Sequence, residues 1–199
     1  MRPSLRQFPN GCSVRASEFL SDIVRRLESA EFEYALVGSI ATMSYGEPRA
    51  TLDVDVVIAM TTSDFEDLQE LFPAPEFYLS PDAAREAVRS KEQFNVIHPG
   101  SGMKVDFFVS GDAVEASQIR RRLRRLILPG IEGWCSPPEE LIVKKLSYYQ
   151  QGASDKHLRD IASMIRISPH EIDVGRVREM AGEELGAILD GVLEAAEDD

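Results

Sequence analysis

The sequence predicts a mixed α/β sheet flanked by helices and followed by a wholly helical region. Three observations carry this expectation. Short β-branched runs alternate with amphipathic helical stretches as far as residue 109, a Pro-Gly pair separates two further strand-like runs, and everything after Pro137 has helical periodicity. The expected division is an α/β domain over residues 1–136 and a helical region over residues 137–199 that closes one side of a cleft. At 199 residues with 43% hydrophobic content, the chain can bury a sizeable core.

Taken in order, residues 16–29 place Phe19, Leu20, Ile23, Val24 and Leu27 on one helical stripe that must pack against something apolar. Residues 34–37 read as a buried strand, ending in Gly38-Ser39 before a short helical pattern over 40–45. Strands follow at 53–59, 77–79, 94–98 and 104–109, with helical patterns at 63–71 and 81–90 between them. Pro129-Gly130 joins runs 122–128 and 131–135 and predicts a hairpin. Helices are expected over 139–151, 154–165, 169–180 and 183–196, punctuated by Gly152, Ser168-Pro169 and Gly182.

The most informative residues are Asp53 and Asp55, two apart in an apolar strand run with Val54, Val56, Val57 and Ile58. That spacing puts both carboxylates on one face. Like charges held side by side are costly without a cation between them, so a hard divalent metal with oxygen ligands is expected there. Asp106, among Val105, Phe107, Phe108 and Val109, is a third strand carboxylate; three such groups suit two-metal chemistry on a phosphate. A register slip of one residue would turn Asp106 away from the others. At Gly38-Ser39 the missing side chain lets a phosphate approach the backbone, and the serine is expected to cap the helix and offer a hydroxyl.

Gly38-Ser39, the short helix ending near Gly46, Arg49-x-Thr51-x-Asp53-x-Asp55 and the distant Asp106 resemble the nucleotidyltransferase superfamily related to DNA polymerase beta. The chain looks most like the small bacterial branch of minimal and AbiE-type toxin nucleotidyltransferases. The resemblance implies a nucleotidyltransferase-type sheet on which Gly38 and Ser39 bind the phosphates of an NTP, ATP among them. It also implies that Asp53, Asp55 and Asp106 bind Mg2+ or Mn2+. Pro138-Glu139-Glu140-Leu141-Ile142-Val143-Lys144-Lys145-Leu146, followed by Arg159-Asp160, is similar to a second segment of that branch; Lys145 is then the expected phosphate contact, with Lys144 its competitor. Arg49 and Thr51 either join the nucleotide or only shape the loop before the metal strand.

By the same resemblance, the activity would be metal-dependent transfer of an NMP group to a hydroxyl on a protein, a tRNA end or a small molecule, within a toxin-antitoxin pair. The alternative is a nucleotide-binding regulatory or antitoxin partner without turnover. The formal charge of −12 argues against generic nucleic-acid binding, although Arg120, Arg121, Arg122, Arg124 and Arg125 form either a local basic patch or a solvated face. His98, His157 and His170 have no metal-ligand spacing, and Cys12 and Cys135 form no zinc or disulfide pattern. No run approaches the ~20 apolar residues of a membrane span and no apolar signal core is evident, so a cytoplasmic protein with no membrane partner is expected.

Overall fold

A computed structural model describes residues 12–49, 51 and 53–197, with side chains described from Ala16 to Ala196 within those spans. Helix α1 (Cys12–Ser29) leads into strand β1 (Glu33–Leu36), short helix α2 (Gly38–Met43) and strand β2 (Asp53–Ala59). Then come α3 (Phe65–Leu71), β3 (Tyr78–Leu79), α4 (Pro81–Ser90), β4 (Gln93–His98) and β5 (Met103–Val109). Helix α5 (Ala113–Arg120), the hairpin β6 (Leu123–Leu128) and β7 (Ile131–Cys135), and helices α6 (Pro138–Gly152), α7 (Asp155–Ile167) and α8 (Val174–Glu197) complete the described chain.

The seven strands form one mixed sheet in the order β3-β4-β5-β2-β1-β7-β6. β2 runs parallel to β5 and β1 parallel to β7, while the other neighbours are antiparallel. One set of alternate side chains on the central strands, Val54, Val56 and Ile58 with Val105, Phe107 and Val109, is buried. Phe107 stacks on Phe94 of the neighbouring strand with ring centroids 5.1 Å apart, and meets Phe72 beyond α3. The α1 stripe of Phe19, Leu20, Ile23, Val24 and Leu27 is also buried, each large side chain contributing about 1.5–3 kcal/mol relative to exposure. Burial on that set leaves the alternate positions, Asp53, Asp55 and Val57 beside Lys104, Asp106 and Phe108, to face the other way.

Two elements differ from the sequence expectation. Helix α5 was not anticipated, because its apolar content is small. Its start is set instead by a capping box in which Asp112 accepts from the Glu115 N–H at 2.7 Å and Glu115 accepts from the Asp112 N–H at 3.3 Å. The last helix begins at Val174 rather than Pro169, which opens only a short 3-10 turn (Pro169–Glu171). Asp173 caps the helix by accepting from the Arg176 N–H at 3.0 Å. Gly182, at φ +66°, interrupts α8 where a break was expected.

Candidate functional site

The parallel pairing of β2 with β5 sets Asp53 opposite Lys104 and Asp55 opposite Asp106, so the three carboxylates and one ammonium occupy adjacent places on one face. Asp106 is 5% exposed; its Oδ2 accepts from Lys104 Nζ at 2.6 Å, and its Oδ1 has no partner. Lys104 Nζ lies 3.9 Å from Asp53 Oδ1, and Asp53 is half-exposed. Burial pushes the Asp55 carboxyl above its ordinary pKa, repulsion from Asp106 and Asp53 adds to the rise, and a hydrogen bond from the Ser39 N–H opposes it. Contact with Asp106 holds the Lys104 ammonium above its usual range.

Gly38 is dictated by this face. Its φ is +58°, and a Cβ there would sit 2.6 Å from Asp55 Cγ. Only glycine lets the backbone turn over that carboxylate into α2. Ser39 does not cap the helix: no side-chain cap is present, and the Ser39 hydroxyl accepts instead from the Arg49 guanidinium. Its backbone N–H serves Asp55. The side-chain cap was lost because α2 opens directly from β1, with Val37 in the cap position.

Beside Asp55 lies a cavity of about 330 Å3. Four helices line it at helical spacing: Ser39 on α2, Glu115 and Gln118 on α5, Leu141, Lys144, Lys145 and Tyr148 on α6, and Lys156, His157 and Asp160 on α7. Its strand wall includes Val57 and Phe108, which are register partners on β2 and β5. Lys144 and Lys145 both reach it, and their partners separate them. Lys145 is buried and donates to Asp160 Oδ2 at 2.6 Å, while Lys144 donates to Asp112 Oδ2 at 2.6 Å and Glu115 Oε1 at 3.0 Å. Arg49 Nε lies 3.5 Å from Asp160 Oδ1, so one carboxylate holds Arg49 and Lys145 together next to Ser39. Burial lowers the Lys145 pKa against the pull of Asp160. For Lys144, Asp112 and Glu115 outweigh the opposing effect of burial and raise it.

Asp53, Asp106 and Thr51 do not line this cavity. The two carboxylates adjoin it through Asp55, and the Thr51 hydroxyl contacts the Asp53 carbonyl at 3.4 Å. His157, which sequence spacing gave no reason to single out, is in the wall against Tyr148, with ring centroids 5.7 Å apart. Lys156 and Tyr148 were likewise missed; an i, i+3, i+4 stripe through Leu141 was the available signal for Tyr148. Four of the five clustered arginines are held in ion pairs. Arg121 pairs with Glu139 and Glu140, Arg122 with Glu33, Arg124 with Glu28 and Arg125 with Glu171. Cys135 is a buried free thiol, and the Cys12 side chain lies outside the described residues. Among the described residues, no helix is long and apolar enough to cross a membrane.

The donor set on the carboxylate face fits a hard divalent cation: three oxygen-bearing side chains in register, an orphaned buried Asp106 Oδ1, and an Asp55 carboxyl raised by burial and its neighbours' charge. Among the described residues, the side chains are not drawn in to ligand spacing, and Lys104 supplies the positive charge between them.

The profile of a family described as nucleotidyl transferase AbiEii toxin, type IV TA system, matches residues 18–188. Comparison with curated proteins gave no match. Among solved structures, an antigenic nucleotidyltransferase-like protein from Paracoccidioides brasiliensis superposes with a TM-score of 0.63 at 22% identity, covering 94% of this chain and 90% of that one. The solution structure of the antibiotic-resistance factor ANT(2'')-Ia gives 0.59 at 12% identity over 94% and 97% of the two chains. The crystal structure of ANT(2'')-Ia with adenylyl-2''-tobramycin gives 0.57 at 13% identity over 85% and 99%. At these identities the likeness establishes a shared fold.

Proposed function

The chain belongs to the AbiEii nucleotidyl transferase toxin family, and from that premise we propose that it moves an NMP group from an NTP to a hydroxyl acceptor in a reaction dependent on Mg2+ or Mn2+. The observation that carries this reading is the adjacency of two features: the register-aligned Asp53, Asp55 and Asp106, and the cavity where Ser39, Arg49 and Lys145 gather around Asp160.

Asp53, Asp55 and Asp106 are the residues that would hold the divalent cation. Bound there, it supplies Lewis-acid stabilisation to the oxygens around the α-phosphorus. The chain's own groups do the rest. Gly38 and Ser39 admit and contact the β- and γ-phosphates, Arg49 and Lys145 neutralise them, and Thr51 steadies the turn into β2. The acceptor hydroxyl oxygen bonds to the α-phosphorus, and the bond from that phosphorus to the α,β-bridging oxygen breaks. Its electron pair leaves with pyrophosphate. The hydroxyl proton passes to the Asp106 carboxylate. The Lys104 side chain beside these carboxylates is 39% exposed. Alignment and fixed charge supply the rate; well-oriented reactants alone account for about 7–11 kcal/mol of such a barrier.

The acceptor class is a protein hydroxyl, a tRNA 3′ end or a small molecule, and the type IV toxin-antitoxin context supports an antitoxin partner. Use of ATP or another NTP fits a cytoplasmic reaction. One observation favours a second reading, nucleotide binding by a regulatory or antitoxin partner without turnover: Lys104 already satisfies one oxygen of Asp106. Incubating the protein with each α-labelled NTP, Mg2+ or Mn2+ and separated cellular protein, RNA and small-molecule fractions tests both. Label on one class that disappears with Asp53→Asn/Asp55→Asn supports transfer. NTP binding with no label in any fraction favours the second reading.

A further inference from the structure

Among the described residues, Lys104 has no ionic partner outside the carboxylate face. Its Nζ meets Asp106 Oδ2 at 2.6 Å and Asp53 Oδ1 at 3.9 Å. The backbone fixes that placement. Strand β5 is hydrogen-bonded on both sides, so Lys104 stands between Asp53 on β2 and Ile97 on β4, two residues from Asp106 and on the same face. These ion pairs join strands that the ladder already holds in register, so bracing the sheet does not require them. What the lysine adds at this place is a positive charge.

Two divalent cations that share a carboxylate cluster stand about 3.5–4 Å apart, and Mg2+ lies about 2.0–2.1 Å from its oxygens. An ammonium at hydrogen-bond distance from Asp106 and within ion-pair reach of Asp53 takes up the space in which a cation would bridge those two residues. A further cation placed there would meet a like charge at close range in a partly buried site. The charge balance points the same way. Asp53, Asp55 and Asp106 carry three negative charges as carboxylates, and the ammonium leaves two, which one divalent ion neutralises. Arg49 and Lys145 already supply positive charge on the cavity side, where Asp55 forms part of the wall.

Resting on the reading of the site as a metal-dependent NTP site, we infer that the Lys104 ammonium stands in for the cation between Asp106 and Asp53. The carboxylate face then takes a single divalent ion, on the Asp55 side next to the cavity, where a two-metal site would take two. Lys104 is a positioning residue in this arrangement: it holds the Asp106 carboxylate and supplies the second positive charge from the chain itself.

The test counts the Mn2+ retained per bound nucleotide when the protein is dialysed to equilibrium against saturating Mn2+ and a non-hydrolysable ATP analogue. Wild type, Lys104→Arg and Lys104→Met are compared, and Asp53→Asn/Asp55→Asn gives the background from other acidic groups on the surface. The inference expects one ion per nucleotide in wild type and in Lys104→Arg, which keeps the charge. It expects two in Lys104→Met, which keeps the length and removes the charge. Electron paramagnetic resonance reads the same difference independently, because two Mn2+ ions about 3.5–4 Å apart couple magnetically and only Lys104→Met should show that coupling. If Lys104→Met does not fold, as judged by thermal unfolding, Lys104→Gln takes its place with the same expectation. Two ions per nucleotide in wild type, or a single uncoupled ion in the charge-removing variant, overturn the inference. In either case the retained Mn2+ and nucleotide leave the metal-dependent NTP reading standing. Wild type that retains neither overturns both.

Discussion

Replacing Gly38 by alanine tests whether the turn above Asp55 is as constrained as its geometry implies. The residue sits at φ +58°, a conformation that costs an L side chain roughly 1–2 kcal/mol. The new methyl would lie 2.6 Å from Asp55 Cγ and 2.8 Å from its Cβ, where ordinary carbon contacts are about 3.5–4.0 Å. The β2–β5 pairing on one side and the Val37 N–H bond to the Asp55 carbonyl (2.9 Å) on the other limit relaxation, so overpacking adds about 1–3 kcal/mol. Together the cost is about 2–5 kcal/mol. At roughly 2–4 °C per kcal/mol for a chain of this size, the Tm should fall by about 4–20 °C. Denaturant unfolding of wild type, Gly38→Ala, Asp55→Ala and the double variant separates the two contributions. Removing Cγ and its oxygens should relieve about 1 kcal/mol or more of the alanine penalty and leave the backbone part. A penalty below about 1 kcal/mol, or one identical in both backgrounds, would refute the close-approach argument.

Three further outcomes follow from named contacts. Asp160→Asn leaves the buried Lys145 ammonium without its carboxylate and should destabilise by about 3–5 kcal/mol near neutral pH. Burial already lowers the Lys145 pKa below its ordinary 10.5, and losing Asp160 lowers it further. The unfolded chain then binds more protons than the folded one between the two pKa values, so the variant's stability rises with pH across that window. Urea unfolding near pH 7 and pH ~10 should show the Asp160→Asn penalty shrinking at the higher pH; a constant penalty would count against it. Glu140, fully buried, accepts from Ser117 at 2.6 Å, Arg121 at 2.7 Å and Arg176 at 3.4 Å. Glu140→Ala should cost about 3–5 kcal/mol by denaturant unfolding, and a loss under about 1 kcal/mol would contradict its anchoring role. The Cys135 thiol is buried and pushed up to about 12, so in a Cys12→Ser background it should resist alkylation at pH 8 until the chain unfolds. Rapid labelling of the native protein, followed by mass spectrometry, would contradict that burial.

Much of the fold was legible because its signals are local. Short apolar, β-branched runs located β2 and β5, and Pro129-Gly130 located the hairpin. Gly182 marked the break in α8. The shared face of Asp53 and Asp55 was fixed by their spacing alone, whereas the alignment of Asp106 with Asp55 depends on strand pairing and became definite only with the register. Helix α5 escaped because its start is encoded in the Asp112–Glu115 capping box rather than in apolar periodicity. The cavity was the least legible part. Its wall combines residues from four helices and three strands, and which of Lys144 and Lys145 meets Asp160 depends on how α6 packs against α7. The Arg121–Arg125 charges looked available in sequence because their partners, Glu28, Glu33, Glu139, Glu140 and Glu171, lie far from them along the chain.

The central claim is that the carboxylate face and the cation-lined cavity act as one site. It is tested most directly by titrating a non-hydrolysable NTP analogue into the protein with and without Mn2+, in wild type and in Asp53→Asn/Asp55→Asn. The account predicts that Mn2+ tightens binding at least tenfold in wild type and has little effect in the double variant. Binding indifferent to Mn2+ in both proteins, or tightened equally in both, would contradict it.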